Sequence, residues 1–522
     1  MSLVFGTRQP CDDRGQKLAT APCGGRDKPW VLGIAVLGSS LAFIEGSIVN
    51  LALPALQADL DLDSLALQWV VNSYLLTLSA LLLIGGAAGD RYGLRRVFVT
   101  GLILFGVTSA ACGLANSLTS LVAWRGLQGV GSALLVPASL ALINVHFEPG
   151  ERARAIGIWA GASALTTALG PLAGGALVDF LGWRAVFLGI APLAGLTALL
   201  ALWRIPASKS DASRSLDWPG AILLAAALGL LTFGLIESGA RSGTMLLLGA
   251  AALAGFLGYE ARAASPMLPL ALFRRQSFSG ANAMTMVLYF ALGGALYFVP
   301  FNLIQIQGYS ALAAGAAFLP LTLMLGLGSA LAGEQLKRHT PRVLLSVGAL
   351  ITSAGFALLT LPGATSTYLL HWLPGIAVIG FGMTLCVAPL TTVVMASVDN
   401  SQSGVASGVN NTAARLAGLL AIALLTGLGV RLFASDLTAA LDTIQLAPAV
   451  RDALLANAHA LAELKPPAAT ADAAGVRALI EQSYVATFRK LMLLCSILAL
   501  LASALAWLSL GSAGKQIETS AA

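Results

Sequence analysis

Long apolar runs separated by short polar loops recur from about residue 30 to residue 510 of the 522-residue chain. Each run is about 18–24 residues long, the length that an α-helix needs to cross the hydrocarbon core of a bilayer. The pattern predicts about fourteen transmembrane helices rather than a series of soluble domains. The predicted spans are 30–53, 68–88, 96–114, 118–142, 155–178, 185–204, 219–238, 244–260, 279–303, 311–333, 342–361, 369–395, 404–430 and 489–510.

The composition supports an all-α integral membrane protein. Hydrophobic residues make up 57% of the chain and charged residues 10%, whereas a soluble protein has roughly 25% charged residues. So few charges cannot cover a water-exposed surface, which excludes a cytosolic enzyme, a secreted disulfide scaffold, a coiled coil and a disordered chain. The net charge of +6 lies mostly in short loops and does not indicate nucleic acid. No nucleophile–base pair or metal-ligand cluster appears, so we expect neither an enzyme nor a metal site.

The distribution of Lys and Arg predicts the orientation. Twenty basic residues lie in the tails and in the loops on the side of the N-terminus, whereas the short loops opposite hold only Arg184 and Arg241. By the positive-inside rule both tails, 1–29 and 511–522, are expected in the cytoplasm. The long outer loop, 431–488, has helical patterning broken by prolines, and we expect short amphipathic helices that cap the outer mouth.

The first and fourth predicted spans each carry a charge inside the membrane. Glu45 and Arg125 both lie roughly 10–12 Å below the outer boundary, at 1.5 Å of rise per residue. Each is costly alone in hydrocarbon, so we expect them to face one another or a shared polar cavity. Two alternatives stay open, namely a purely structural ion pair and an Arg125 that extends to the outer interface.

Two further segments are candidate moving parts. The loop from Gly86 to Arg96 combines turn-forming glycines with an acid and several arginines, which favours a gate over an ordinary basic loop. Its candidate gating residues are Gly86, Asp90, Arg91, Gly93 and Arg95. The fifth span contains Gly170, Pro171, Gly174 and Gly175, a combination that permits close helix packing and bending.

Taken together, these motifs resemble the major facilitator superfamily, and most of all its fourteen-helix drug:proton antiporter branch (EmrB/QacA type). The stretches Gly86–Arg96, Arg125–Ala133, Gly170–Gly175 and Ile44–Pro54 match four motifs of that branch in order and spacing. The resemblance implies two pseudo-symmetric six-helix bundles at 30–204 and 279–510, with two additional helices in a linker at 205–278.

The resemblance also implies a function. Glu45 and Arg125 would couple transport to protons, the loop residues would form an inner gate, and Gly170–Gly175 would mark an exporter. No cofactor is expected besides the proton gradient. The expected partners are a small-molecule substrate, the proton and the lipid bilayer of the bacterial-type cytoplasmic membrane, with a monomeric protein and an unknown outer partner.

The sequence departs from the family in ways that bear on the substrate. Glu45 stands where the family usually has aspartate, and no second acid appears in spans 9–12, which lowers the expectation of dication export. A substrate-specific exporter of the same fold is therefore the alternative to multidrug efflux, and a non-transporting receptor is a more distant one. Candidate cavity residues, for several of which lipid contact or core packing is equally expected, are Asn50, Asn72, Gln128, Met286, Tyr289, Tyr297, Phe381 and Met383.

Overall fold

The computed structural model describes residues 28–206, 216–236, 240–335, 339–398, 403–467, 470 and 472–510, and these ranges contain helices and short connections but no strand. Apolar side chains interrupted by few charges favour helices, since only helices satisfy every backbone group within one span. The α-helices are α1 (Lys28–Leu60), α2 (Ser64–Tyr92), α3 (Leu94–Gly113), α4 (Leu118–His146), α5 (Pro149–Leu181), α6 (Trp183–Arg204), α7 (Trp218–Ile236), α8 (Ala240–Glu260), α9 (Gln276–Phe301), α10 (Ala311–Ala316), α11 (Leu319–Gln335), α12 (Pro341–Leu358), α13 (Leu373–Ala396), α14 (Ser403–Leu441), α15 (Pro448–Ala456) and α16 (Ala473–Ser509).

Most of the predicted spans are present as long helices. Within the described ranges, twelve helical segments are long and apolar enough to cross a membrane. The fifth and tenth predicted spans coincide with α5 and with α10–α11, whose described apolar stretches, Leu169–Leu181 and Ala311–Gly326, are shorter. The chain is therefore a multi-pass, all-helical membrane protein, as predicted.

The tenth span is not one helix, contrary to the prediction of a continuous span over 311–333. It breaks at residues 317–318 into α10 and α11. Pro320 explains the break, because its ring nitrogen cannot donate the hydrogen bond to Ala316 that would continue α10. The amide of Phe318 instead bonds the carbonyl of Gly315 in a tighter turn.

The prediction for the outer loop was wrong in its boundaries. The segments expected as separate helices at its two ends are continuous with membrane helices, since α14 runs on to Leu441 and α16 begins at Ala473. Among the described residues between them, α15 and the 3-10 turn Ala458–Glu463 form a separate unit. Buried Leu454 and Leu461 hold this unit against the protein, because an apolar face that packs on the outer ends is removed from water.

The helices form two bundles that meet in a reciprocal way. In the first, α2 packs on α4 and α1 on α5, and in the second, α12 packs on α13 and α9 on α14. Between the bundles, α2 packs on α14, and α5 packs on α10 and α11. The second helix of each bundle thus meets the fifth helix of the other, as pseudo-two-fold symmetry requires. The α7–α8 hairpin lies beside the first of these seams, where Phe233 contacts Trp69 at 5.9 Å between ring centroids.

Candidate transport site

The structure brings the two intramembrane charges of the first bundle into contact. Arg125 Nη1 donates a hydrogen bond to Glu45 Oε1 over 2.7 Å, and the two side chains are 1% and 0% exposed. The matched depths on α1 and α4 led to this pairing from the sequence. Because Arg125 is buried, it does not extend to the outer surface.

The Arg125 guanidinium is held in place on several sides. Its Nε donates to the Val70 carbonyl at 3.0 Å, and its Nη1 also donates to Gln128 Oε1 at 2.7 Å. The ring of Tyr74 lies 4.4 Å from the guanidinium carbon, in cation–π contact. Gln128, which the sequence assigned to the substrate cavity, is therefore part of the charge pair. Tyr74 was missed from the sequence. The signal that could have found it is its position on α2 at the same depth as the charge pair.

Small residues on α4 explain why α2 comes close enough to supply these partners. A Cβ atom at Gly129 would overlap the Tyr74 carbonyl and the Thr77 hydroxyl, so only glycine permits this approach. The Thr77 hydroxyl donates to the carbonyl of Gly126 at 2.7 Å and fixes the helix pair. The contact places the backbone carbonyl of Val70 within reach of Arg125.

Several polar atoms near the outer half of the first bundle lack a hydrogen-bond partner among the described residues. These atoms are Glu45 Oε2, Gln128 Nε2 and both amide atoms of Asn72, all of them buried. Buried polar groups in proteins are nearly always paired with protein atoms or with ordered water. The free oxygen of Glu45 is thus a place where a proton, a water molecule or a substrate group can bind.

An open space lies between α1 and α14, at the level of the residue that follows Glu45. Gly46 is exposed although it lies in the middle of a membrane helix. Across this space Arg415 of α14 places Nη1 4.0 Å from where a Cβ of Gly46 would lie, and its guanidinium carbon lies 5.5 Å from the centre of the Phe43 ring. Asn50, one turn further along the same face of α1, has a buried amide oxygen with no described partner.

The apolar candidates from the second bundle do not form one wall. Tyr297 and Met383 are buried in the core, Tyr297 within 5.2 Å of the Phe298 ring, so core packing is the interpretation that applies to them. Met286 and Tyr289 on α9 are partly buried. Phe381 was misplaced by the sequence-based assignment, because it lines a separate cavity of about 640 Å³ whose walls come only from α11, α12, α13 and the α11–α12 connection.

The predicted gating loop is a tight turn between α2 and α3. Gly93 adopts φ = +95°, a conformation that favours glycine, and it ends one helix and begins the next. Arg95 Nη1 donates to the carbonyl of Ile205 at 3.0 Å and so ties the loop to the end of α6. Arg91 lies beside Tyr92, and Gly86 faces Pro137 of α4. The side chain of Asp90 lies outside the described part of the chain.

The glycine motif of α5 is a packing surface between the bundles. Gly174 faces Ile48 of α1, and a Cβ at Gly175 would overlap the carbonyl of Ala311 on α10. Reciprocally, a Cβ at Gly315 of α10 would overlap the carbonyl of Pro171. Gly170 is buried in the same helix, which stays continuous through Pro171.

Polar contacts join the two bundles at the outer end. The Asp179 carboxylate, at the end of α5, accepts hydrogen bonds from the amides of Ala311 at 2.9 Å and Leu312 at 2.7 Å, in the first turn of α10. Gln305 Nε2 donates to Gln57 Oε1 of α1 at 3.3 Å and to Glu463 Oε1 of the outer loop at 3.0 Å. Sequence reasoning missed Asp179, whose only signal was an acid directly after the glycine motif.

Two helical bundles with reciprocal contacts and a polar space at membrane depth define an alternating-access transport protein. The family model of the Major Facilitator Superfamily matches residues 35–422. The chain therefore belongs to the major facilitator superfamily.

The comparison with curated proteins places the chain among antibiotic-related members. It is 37% identical to the tetracenomycin C resistance and export protein of Streptomyces glaucescens, over 79% of this chain and 78% of that protein. It is 36% identical to the puromycin resistance protein pur8 of Streptomyces alboniger, over 78% of this chain and 83% of that protein. Among solved structures, a bacterial homolog of the human lysosomal transporter Spinster, in an inward-facing and occupied conformation, superposes with a TM-score of 0.65 at 18% identity and covers 93% of this chain and 97% of that one. This likeness supports the two-bundle fold.

Proposed function

We propose that the protein exports drug-like compounds across the cytoplasmic membrane in exchange for protons, with both termini in the cytoplasm. The buried Glu45–Arg125 contact is the observation that carries the proposal. A lone carboxylate inside the membrane is expensive to keep charged, and a nearby guanidinium lowers that expense. The protonation of Glu45 therefore depends on its contact with Arg125 and on whether water reaches it, and access of water changes when the bundles rock.

The transport cycle follows from this dependence. When the cavity faces the cytoplasm, Glu45 is deprotonated and substrate enters. When the cavity faces outward, a proton from the more acidic side binds Glu45, and substrate leaves. The protonated protein then returns. Moving one elementary charge across the membrane yields about 2.3 kcal/mol per 100 mV, which supplies the drive.

The outer contacts have a place in this cycle. Asp179 with α10, and Gln305 with Gln57 and Glu463, join the bundles at the outer end and would separate in the outward-facing state. The glycine motif of α5 lets the helices come close enough for these contacts. The loop Gly86–Arg96 would act at the opposite end as the inner gate. We propose that the protein acts as a monomer.

The compounds for which the relatives are named are consistent with two forms of the proposed function. A multidrug pump is the first, and an exporter dedicated to one antibiotic-like compound is the second. The tetracenomycin and puromycin proteins are named for single compounds, whereas a relative from Mycobacterium tuberculosis is named a multidrug resistance protein. A transport panel separates the two forms.

Everted membrane vesicles test the coupling. Vesicles with an acidified lumen are given a panel of dyes and antibiotics, and release of the pH gradient on addition of each compound is followed by fluorescence. Wild type should respond to at least one compound, and Glu45→Gln should not. Glu481→Gln, which removes the same charge from a partly buried ion pair with Arg477 on α16, should behave as wild type. A normal response of Glu45→Gln would contradict the carrier role.

A further inference from the structure

We propose that Arg415 is the anion-binding group of the substrate site, and that the protein takes planar aromatic compounds that carry a negative charge. The inference deepens the proposed export function by naming its substrate class, and it rests on that function. It agrees with the absence of a second acid in spans 9–12, which lowers the expectation of dication export.

Arg415 lies where a substrate would pass. It belongs to α14 of the second bundle and crosses to α1 of the first, where it lies beside Gly46 and Phe43. The exposure of Gly46 in the middle of α1 shows that this side of the helix borders open space. Glu45, the preceding residue on α1, is fully buried and contacts Arg125. The cation thus faces the space between the bundles, next to the coupling pair but separate from it.

Within the described part of the chain, the Arg415 guanidinium has no anion. It makes no ion pair and no hydrogen bond with the described residues. Its one described cation–π contact is with the Phe43 ring. Glu45 is not its partner, because the hydrogen bond described for the Glu45 carboxylate comes from Arg125. The phenols of Tyr74 and Tyr289 are near enough to Arg415 to interact with it electrostatically. An arginine at membrane depth is costly unless it has a counter-charge or a wet cavity.

The charge balance of the membrane interior favours an anionic ligand. Away from the ends of the predicted spans, the charged residues are Glu45, Arg125 and Arg415. While Glu45 is deprotonated, the first two neutralise one another, which leaves the positive charge of Arg415. A cationic substrate that enters in this state would be repelled, whereas an anion would gain a counter-charge. An anion also leaves a cell whose interior is negative with help from the membrane potential.

The surroundings of Arg415 indicate a flat aromatic ligand. The Phe43 ring lies beneath the guanidinium, and Trp159 contacts Phe43 edge-on at 6.2 Å between centroids. The buried Trp159 Nε1 has no described acceptor, so a hydrogen-bond donor is available beside the rings. Guanidinium groups bind carboxylates in a planar, two-pronged geometry, and aromatic faces accept flat rings. Asn50 adds a free amide oxygen on the same face of α1.

Dye binding to the full-length protein in lipid nanodiscs tests the proposal without the need for transport. The probes are 5-carboxyfluorescein, an anion, and rhodamine 6G, a cation with a related xanthene ring system, and fluorescence anisotropy reports their affinities. Wild type should bind carboxyfluorescein more tightly than rhodamine. Hydrogen bonds to charged groups contribute enough that Arg415→Gln should weaken carboxyfluorescein binding by roughly 10- to 100-fold. Rhodamine binding should be unchanged or stronger.

Two variants make the result specific. Arg415→Lys keeps the charge but not the two-pronged geometry, and should give an intermediate affinity for carboxyfluorescein. Arg262→Gln removes an exposed arginine that follows α8 and donates to the carbonyl of Gly258 near the end of that helix, and should match wild type. Equal affinity of wild type for both dyes, or the same carboxyfluorescein affinity in Arg415→Gln and in wild type, would overturn the proposal.

The export function is tested separately. Glu45→Gln should still bind carboxyfluorescein while it loses proton-coupled transport. If wild type binds the anion through Arg415 but never exchanges it for protons, the coupling proposal fails and the assignment of Arg415 stands. If proton exchange occurs with cations alone and Arg415→Gln leaves it unchanged, the assignment of Arg415 fails and the coupling proposal stands.

Discussion

Arg125 Nη1 and Glu45 Oε1 lie 2.7 Å apart at a depth where neither side chain contacts water. The two residues come from helices that run in opposite directions, and Val70 and Gln128 satisfy further donors of the guanidinium. A buried ion pair stabilises the protein only while both partners are present, because a single remaining charge has no counter-charge in the interior. In the proposed cycle the pair acts as a switch whose two states, charged and protonated, differ in how firmly α1 is held to α4.

Removal of one partner should cost more than removal of both. We expect Arg125→Met or Glu45→Gln alone to lower the free energy of unfolding by about 3–5 kcal/mol, because an uncompensated charge stays buried. The double variant Glu45→Gln with Arg125→Met should recover most of this stability but not transport. Thermal unfolding of the purified protein, with efflux measured in parallel, checks both parts. Additive losses in the double variant would show that the two charges do not interact.

Alanine at Gly175 should separate the bundles at the outer end. The new Cβ would overlap the Ala311 carbonyl, and overpacking of this kind costs roughly 1–3 kcal/mol. We expect a lower melting temperature and reduced efflux. Gly195→Ala is the matched control, since a Cβ there meets nothing within 4 Å. Equal effects of the two substitutions would attribute the loss to helix propensity or lipid packing instead.

Loss of the Asp179 carboxylate should favour the outward-open state. Its two hydrogen bonds act as an N-cap on α10, and caps contribute about 1 kcal/mol, so Asp179→Ala should change the ratio of open to closed protein about fivefold. Spin labels at exposed positions Phe180 and Leu369, on the outer ends of the two bundles, report the distance. Asp179→Asn, which keeps an acceptor, should lie between. An unchanged distance distribution in Asp179→Ala would rule out a latch.

We expect the folded protein to be more stable at low pH because of Glu463 in the outer loop. Burial raises the pKa of Glu463 above its ordinary value, against the opposing effects of Lys465, Arg477 and the hydrogen bond from Gln305. The folded protein therefore binds a proton more readily than the unfolded chain does. The stability linked to this proton is complete below the ordinary carboxyl pKa of about 4.3 and is lost as the pH rises through the higher pKa of the folded state.

A neutral substitution isolates this effect. The melting temperature of Glu463→Gln minus that of wild type should increase as the pH rises from 4 toward 7, because only wild type carries the buried charge. Glu148→Gln, at an exposed acid that pairs with Lys28 at 3.5 Å, is the control and should show no such trend. A difference between Glu463→Gln and wild type that is constant with pH would contradict the prediction.

Local sequence patterns were sufficient to predict the helices and the contact between Glu45 and Arg125. Apolar length predicts a span because hydrocarbon leaves a helix as the only satisfied backbone conformation, and depth can be counted along a helix at a constant rise. The same reasoning failed at residues 317–318, where one proline divides a span. It also failed at the outer loop, where helical pattern alone cannot distinguish a separate helix from the continuation of a membrane helix.

The sequence by itself determined that the chain is a helical membrane protein of the transporter type, and which depths its charges occupy. Only the tertiary structure decided which face of each helix meets another. Rotation about a helix axis is set by packing with helices that are distant in the chain, as where Gly129 admits α2 and Gly175 admits α10. For this reason the sequence could not show that Phe381 lines a separate cavity or that Asp179 accepts hydrogen bonds from the amides of α10. Nor could it show that Arg415 faces Gly46 across the space between the bundles.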